Sequence, residues 1–434
     1  MFASDKNFVL KGNVLYSLTK DKIAERCNCH VVCADGICKG VFDDLPKEYA
    51  EFPIHDYGAD LIIPGLIDLH IHAPQFAYRG TGMDLELLDW LDNQAFPEEA
   101  RYSDTEYAQK AYSIFADALK KSATTRAVIF ATRHRDATEL LMSLLESTGL
   151  ITYVGKINMD QNAPENLKER DADRSAFDTF GWINHIAGKF ERTGPILTPR
   201  FVPSCSRKLL EELREVRKAY DLPIQSHLSE NPEEVELVKS MFPEAESYGD
   251  CYDRYDLFGN RPGGEFSSKT VMAHCVYSGE AEVELIKKNG VIIAHCPASN
   301  MNLSSGIAPI RSYLDKNVCV GLGSDVAGGQ TESIFRAMTD AVQVSKMFWR
   351  LVDKSARPLI FDEAFYMATA GGGSFFGKVG TFEDGYDFDA LVLNDSHLPY
   401  PRDLTPRQRL ERFAYLGGEA NGISAKYVAG RKIY

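Results

Sequence analysis

Eight short apolar runs recur through the middle of the chain, at 66–72, 125–132, 151–158, 196–202, 223–228, 269–274, 291–295 and 318–323. Each has the length of a strand. Most are separated by stretches with helical periodicity, such as "SRKLLEELREVRKAY" and "GEAEVELIKKNG". Eight alternations of this kind predict an α/β fold, a (β/α)8 TIM-like barrel, over 64–376. In such barrels active sites are built at the C-terminal ends of the strands.

The two ends of the chain read differently. Residues 1–63 hold short β-like pieces with turns, and the last sixty residues hold similar ones, "KVGTFEDGYDFDALVLND" and "AKYVAGRKIY". A small β domain assembled from both termini, 1–63 and 377–434, is therefore expected beside the barrel. The stretch "CNCHVVCADGIC" near the start has the look of a metal knuckle, but its cysteine spacing does not match the paired C-x2-C pattern. Val31, Val32 and Ile37 around a DG turn point instead to a hairpin carrying small apolar cysteines. The segment "NRPGGEFSSK" at 260–269 is the clearest irregular insertion.

Composition narrows the function. A net charge of -14 does not suit a nucleic-acid phosphate backbone and gives no support to binding an anionic membrane surface. No apolar run approaches the length of a membrane span. The start "MFASDKNFVLKGNVLYS" lacks the layout of a signal peptide, so a cytoplasmic location is expected. Nine cysteines, an odd number in a long chain, make a disulfide framework an unexpected outcome.

The chemistry lies at the strand ends. The first run carries Asp68, His70 and His72 at a spacing of two, which places them on one face of a regular strand. Two imidazoles pointing into one space suit a metal ion, although His-x-His alone is equally compatible with buried core histidines. The fifth run, "LPIQSHLSE", ends in His227 and Glu230. The sixth ends in His274, the seventh in His295 and the eighth in Asp325. With His134 after the second run, six of the ten histidines fall at or near these ends. His70, His72, His227 and Asp325 supply three nitrogens and an oxygen for one ion, leaving a position for water, with His295 an alternative to His227. A divalent ion lowers the pKa of bound water toward neutrality. Glu230, off the metal, is placed to move protons, and His274 to hydrogen-bond the nucleophile or the attacked oxygen. His134 reads as a surface residue, Trp90 as core packing of "LELLDWL", and Lys156 as structural.

In order, "PGLIDLHIH", "QSHLSE", "MAHC", "AHCPASN" and "GLGSDVAGG" resemble the amidohydrolase superfamily, in its mononuclear aminohydrolase branch. "HAPQF", "DLELLDWL", "FPEEARY", "VGKINMDQN" and "PRFVPSCS" are similar to the purine-base deaminases of that branch, and the likeness runs from about 64 to 350. The resemblance implies His70, His72, His227 and Asp325 as ligands of one zinc ion (or iron), with His295 hydrogen-bonding nearby. It implies Glu230 as proton shuttle, with His274 and Asp325 assisting. Gln75, Arg200 and Phe201 form the implied purine pocket. The branch with two metals uses a modified lysine at the end of the fourth strand, and "LTPRF" has none there. The implied activity is hydrolytic deamination of a small purine base, guanine to xanthine and ammonia, by a homodimer. A related aminohydrolase acting on another purine, cytosine or a triazine is the nearest alternative. A metal-free scaffold of the same fold is the alternative from another class.

Overall fold

The computed structural model describes residues 6–261 and 263–434. Residues 1–5 of the N-terminal β segment and Pro262 of the 260–269 stretch lie outside them. Each of the eight apolar runs contains a strand: Leu66–His72, Thr124–Phe130, Ile151–Gly155, Thr198–Pro199, Ile224–Leu228, Thr270–His274, Ile292–His295 and Val320–Leu322. The third and fourth are broken into two pieces, continuing at Ile157–Asn158 and beginning earlier at Thr193–Pro195. Pro195 and Pro199 offer no N–H to a ladder, which shortens the fourth strand. Gly155 marks a close approach, since a Cβ there would stand 1.7 Å from Thr198 Oγ1.

The strands pair in parallel in chain order, with Ile71 opposite Ile129, Val128 opposite Tyr153 and Thr152 opposite Thr193. The second half repeats this, with Gln225 opposite Val271, Met272 opposite Ile293 and Ala294 opposite Gly321. Leu197 N donates to Pro223 O at 2.9 Å and Gln225 N to Leu197 O at 3.0 Å, joining the halves. The barrel closes where Asp325 N donates to His70 O at 2.8 Å and His72 N to Val326 O at 3.1 Å. Helices follow the strands and bury one stripe each. In Arg207–Tyr220 the buried stripe is Leu209, Leu210, Leu213 and Val216, and Ser206 caps the N-terminus by accepting from Leu209 N. Among the described residues no helix is long and apolar enough to cross a membrane.

The small β domain from both termini is one seven-stranded sheet. Its order is Arg431–Lys432, Ile423–Val428, Ala390–Leu393, Ile54–Pro64, Phe8–Thr19, Lys22–Ala34, Ile37–Phe42. The cysteine-rich stretch is the last hairpin, turning at Asp35 and Gly36 with φ of 54° and 83°. Such left-handed pairs match the twist of a two-residue turn. Cys29, Cys33 and Cys38 are buried free thiols. Burial pushes Cys33 and Cys38 up to about 12, and both pack among the apolar side chains of the sheet.

Arg126 of the second barrel strand ties the sheet to the barrel. Its Nε donates to Asp389 Oδ2 at 2.6 Å and its Nη2 to Asp387 Oδ2 at 2.9 Å. Asp389 is buried and also accepts from Ala429 N at 2.8 Å, so this carboxylate depends on Arg126 for its counter-charge. Arg126→Met should cost about 3–5 kcal/mol, as expected for one partner removed from a buried pair, and lower the thermal midpoint of purified protein. An unchanged midpoint in calorimetry refutes this account of the sheet's attachment.

Candidate active site

The residues singled out at strand ends converge on the mouth of the barrel. Backbone geometry helps to aim them. His274, the last residue of its strand, and Asp325, just past its own, have left-handed backbone, with φ of 75° and 48°. Such conformations are unfavourable for residues with a Cβ and persist only where the surroundings impose them. The first strand departs from strict alternation. Its register to the second strand shifts between Asp68 and Ile71. Ile67 and Leu69 pack in the barrel interior with Val128, Ile196, Ala273 and Ala294. Asp68 therefore does not accompany the two histidines as strict alternation predicts. Its carboxylate accepts from His70 N at 3.1 Å, Ser324 N at 3.0 Å and Ser324 Oγ at 2.5 Å. It fastens the first strand to the loop that carries Asp325. Burial pushes Asp68 up to about 7, and those hydrogen bonds act against the rise.

Three imidazole nitrogens and a carboxylate meet at one point. His72 Nε2 lies 3.2 Å from both His70 Nε2 and His227 Nε2. Asp325 Oδ1 lies 3.2 Å from His70 Nε2 and 3.4 Å from His72 Nε2. His227 Nδ1 lies 2.6 Å from Arg200 O. A carbonyl only accepts, so the proton of neutral His227 is on Nδ1 and its Nε2 lone pair faces the cluster. Burial and the neighbouring imidazoles hold His72 and His227 well below the ordinary histidine range, which keeps both rings neutral. Burial by itself would raise Asp325, but His70, His274 and His72 hold it well below the usual carboxylate range. Three imidazole nitrogens and a carboxylate oxygen brought this close together form a donor set that fits a cation. His70, His72 and Asp325 have ligand atoms close enough to share an ion, and so do His70, His227 and His274.

Two further groups stand beside this cluster. Glu230 Oε1 accepts from Ser305 Oγ at 3.1 Å, while Oε2 is 3.4 Å from His274 Nε2. Burial first, then the charge of Asp325, pushes Glu230 up to about 8. His274 Nε2 is 3.7 Å from Asp325 Oδ2, and its Nδ1 is 2.9 Å from Asn300 Oδ1.

A cavity opens onto these groups, lined by His72, His227, Glu230, His274 and Asp325 on one side and by Gln75, Arg200, Phe201, Trp90 and Leu87 among others. Phe201 faces it because the strand has ended at Pro199, so alternation no longer governs its side; its ring is 6.5 Å from that of His227. Trp90 belongs to the main core and also lines the cavity, which corrects the reading of it as core packing alone. His295 is buried, and neither ring nitrogen has a partner among the described residues, so the hydrogen bond expected of it is not made to protein. Lys156 is buried against Glu169 and donates to Ile157 O at 3.2 Å, a structural pairing. His134 is half-buried and lies outside the cavity lining.

Sequence reasoning passed over Glu99. It is buried, accepts from Gln75 Nε2 at 2.9 Å and from Arg200 Nη1 at 2.5 Å, and so joins the two polar residues of the pocket. Nothing local in "FPEEARY" marks it, because its partners are 24 and 101 positions away. Ser305, Asn300 and Ser324 were missed for the same reason.

Zinc titration of the apo chain should register about one ion per chain, as suits a single cluster of this size. Asp68→Ala should weaken that binding by roughly tenfold to a hundredfold, the usual effect of losing a group that orients ligands. Two tight ions, or unaltered affinity in the variant, would contradict the geometry.

Comparison with known proteins gives the same picture. The model of the amidohydrolase family matches residues 61–425. A guanine deaminase of Rattus norvegicus is 38% identical over 401 residues, covering 89% of this chain and 85% of its own length. A guanine deaminase of Dictyostelium discoideum is 37% identical over 450 aligned residues, covering 98% of each chain. The crystal structure of guanine deaminase from C. acetobutylicum with guanine bound in the active site superposes with a TM-score of 0.93 at 46% identity, covering 99% of this chain and 100% of that one. With the family model matched over most of its length and these relatives covered almost end to end, the chain belongs to the amidohydrolase family and, within it, to the guanine deaminases.

Proposed function

We propose that this protein hydrolyses guanine to xanthine and ammonia at the barrel mouth. The observation that carries the reading is one cavity with two unlike walls: a cation-fitting cluster with a buried proton carrier, and the donors Arg200 and Gln75 opposite. In this reading His70, His72, His227 and Asp325 hold one divalent cation, zinc or iron. When bound, the cation supplies the Lewis acidity that makes water nucleophilic at neutral pH.

The remaining work falls to side chains. Ser305 occupies Glu230 Oε1, which leaves Oε2 to face the reacting atoms. Glu230 takes a proton from the attacking water as its oxygen bonds to the ring carbon bearing the amine, and delivers it to the adjacent ring nitrogen. It then carries the second proton of that oxygen to the amine, which leaves as ammonia. A carboxyl group whose pKa lies near working pH suits such two-way transfer. Asn300 Oδ1 accepts the Nδ1 proton of His274, freeing Nε2 to accept a hydrogen bond from the water and hold it in line. Phe201 and Trp90 supply apolar walls for a flat ring. Arg200 directs N–H groups at an acceptor. Guanine presents a carbonyl oxygen where adenine presents an amine.

The reading includes a barrel spanning 64–376 with a terminal domain of 1–63 and 377–434, although helix Pro406–Tyr415 sends Leu410 and Phe413 into the main core. It also includes a cytoplasmic homodimer, for which the family resemblance is the support.

Glu230→Gln should retain the metal and lose on the order of a hundredfold or more in guanine turnover, the loss expected for a positioned acid–base group. Normal turnover in that variant removes Glu230 from the proton path. Separately, Arg200→Ala should cut guanine turnover and shrink a guanine-over-adenine preference of up to about 10⁴-fold, because donor would no longer oppose donor. A wild-type protein that prefers adenine, cytosine or a triazine in an ammonia-release assay sinks the guanine assignment.

A further inference from the structure

Arg200, the one arginine lining the pocket among the described residues, is not free to act as an isolated charge. Arg200 is buried, its Nη1 donates to Glu99 Oε2 at 2.5 Å, and its guanidinium lies 5.1 Å from the centre of the Phe96 ring. Glu99 is fully buried on the short helix Phe96–Ala100, and its other oxygen accepts from Gln75 Nε2 at 2.9 Å. Gln75 Oε1 in turn accepts from Ala327 N at 3.1 Å. One carboxylate thus holds both polar pocket residues, cancels the guanidinium charge, and commits one donor of each. What remains for a ligand is uncharged in sum: the other N–H groups of Arg200 and the second N–H of Gln75.

Other groups near Glu99 do not alter that sum. Tyr78 and Tyr112 are buried, and burial holds both phenols protonated. Tyr102 donates to Pro74 O at 2.9 Å and is neutral as well. Glu98 is turned to Arg101, at 3.3 Å, and to Tyr107. The opposite wall carries Asp325, Glu230 and, in the proposed reading, one divalent cation, and these are the same in wild type and in every Glu99 variant.

We propose that Glu99 is a specificity-determining residue: by neutralising Arg200 it makes the cavity select a neutral purine and reject an anionic one. This rests on the reading of guanine as substrate. Its consequence falls on the product. Xanthine carries a second carbonyl in place of the amine, which makes its ring N–H groups more acidic than those of guanine. Xanthine therefore becomes an anion under mildly alkaline conditions where guanine stays neutral. A pocket with an unpaired arginine would hold that anion more tightly, whereas the Glu99–Arg200 pair adds no net positive charge on the wall that faces the ring. A buried charge stripped of its partner is costly, and a ligand of opposite charge relieves that cost.

The test is xanthine binding by calorimetry to the full-length protein across mildly acidic to mildly alkaline pH, with guanine turnover measured alongside. Wild-type protein should bind xanthine more weakly as pH rises. Glu99→Gln should reverse that trend, binding xanthine roughly tenfold or more tightly at the alkaline end than at the acidic end, while the KM for guanine rises. Glu99→Asp, which keeps the charge, should keep the wild-type trend. The same pH trend in wild type and Glu99→Gln overturns the proposal. If Glu99→Gln does not fold, Arg200→Gln carries the test. Glu99 is then the unpaired charge, and xanthine binding should fall with pH more steeply than in wild type; an equal slope overturns the proposal. A wild-type protein that does not deaminate guanine overturns the functional reading and this inference together. Guanine turnover with an unreversed trend overturns the role of Glu99 alone.

Discussion

The active site depends on the seam where the eighth barrel strand meets the first. Asp325 N donates to His70 O, His72 N donates to Val326 O, and the buried Asp68 carboxylate holds Ser324 by both its N–H and its hydroxyl. These bonds close the barrel. They also set the Asp325 carboxylate against the two histidines of the first strand. A closed parallel barrel has no free sheet edge, so each strand end is held by neighbours on both sides. That rigidity is what allows Asp325 and His274 to occupy left-handed backbone.

Three of the buried charges that hold the fold together are paired. Arg126 meets Asp389, Lys156 meets Glu169, and Arg200 meets Glu99. Each pair loses hydration on burial and recovers it through Coulomb attraction and further hydrogen bonds. At the mouth of the barrel, by contrast, the imidazoles of His70, His72 and His274 and the carboxyl groups of Asp325 and Glu230 face one another with no lysine or arginine paired to either acid. Perturbed groups of this kind tend to gather at active sites.

Much of this was legible in the sequence. The eight apolar runs correspond to strands because strand length and the alternation with amphipathic helices are local properties. The histidines and acids at the strand ends stood out because a barrel turns chain position into a place at the mouth. Other features were obscured. Strict alternation put Asp68 beside His70 and His72, but the register shift before Ile71 turned it toward Ser324 instead. Phe201 was ambiguous because the end of its strand at Pro199 depends on neighbours rather than on the residue itself. Trp90 read as core packing, and it is both core and cavity wall.

Short-range pattern in the sequence determined the elements, their order, the hairpin at Asp35 and Gly36, and which residue types stand at the strand ends. Tertiary structure alone decided which distant groups share a proton, an ion or a charge. Ser324 finds Asp68 across 256 positions, Arg200 finds Glu99 across 101, and Ser305 finds Glu230 across 75. Backbone propensity and hydrophobic periodicity act over a few residues and leave a trace in the local sequence. A hydrogen bond or ion pair between remote segments leaves none, because any acid and any donor would satisfy its chemistry until the closed barrel brings one particular pair within reach.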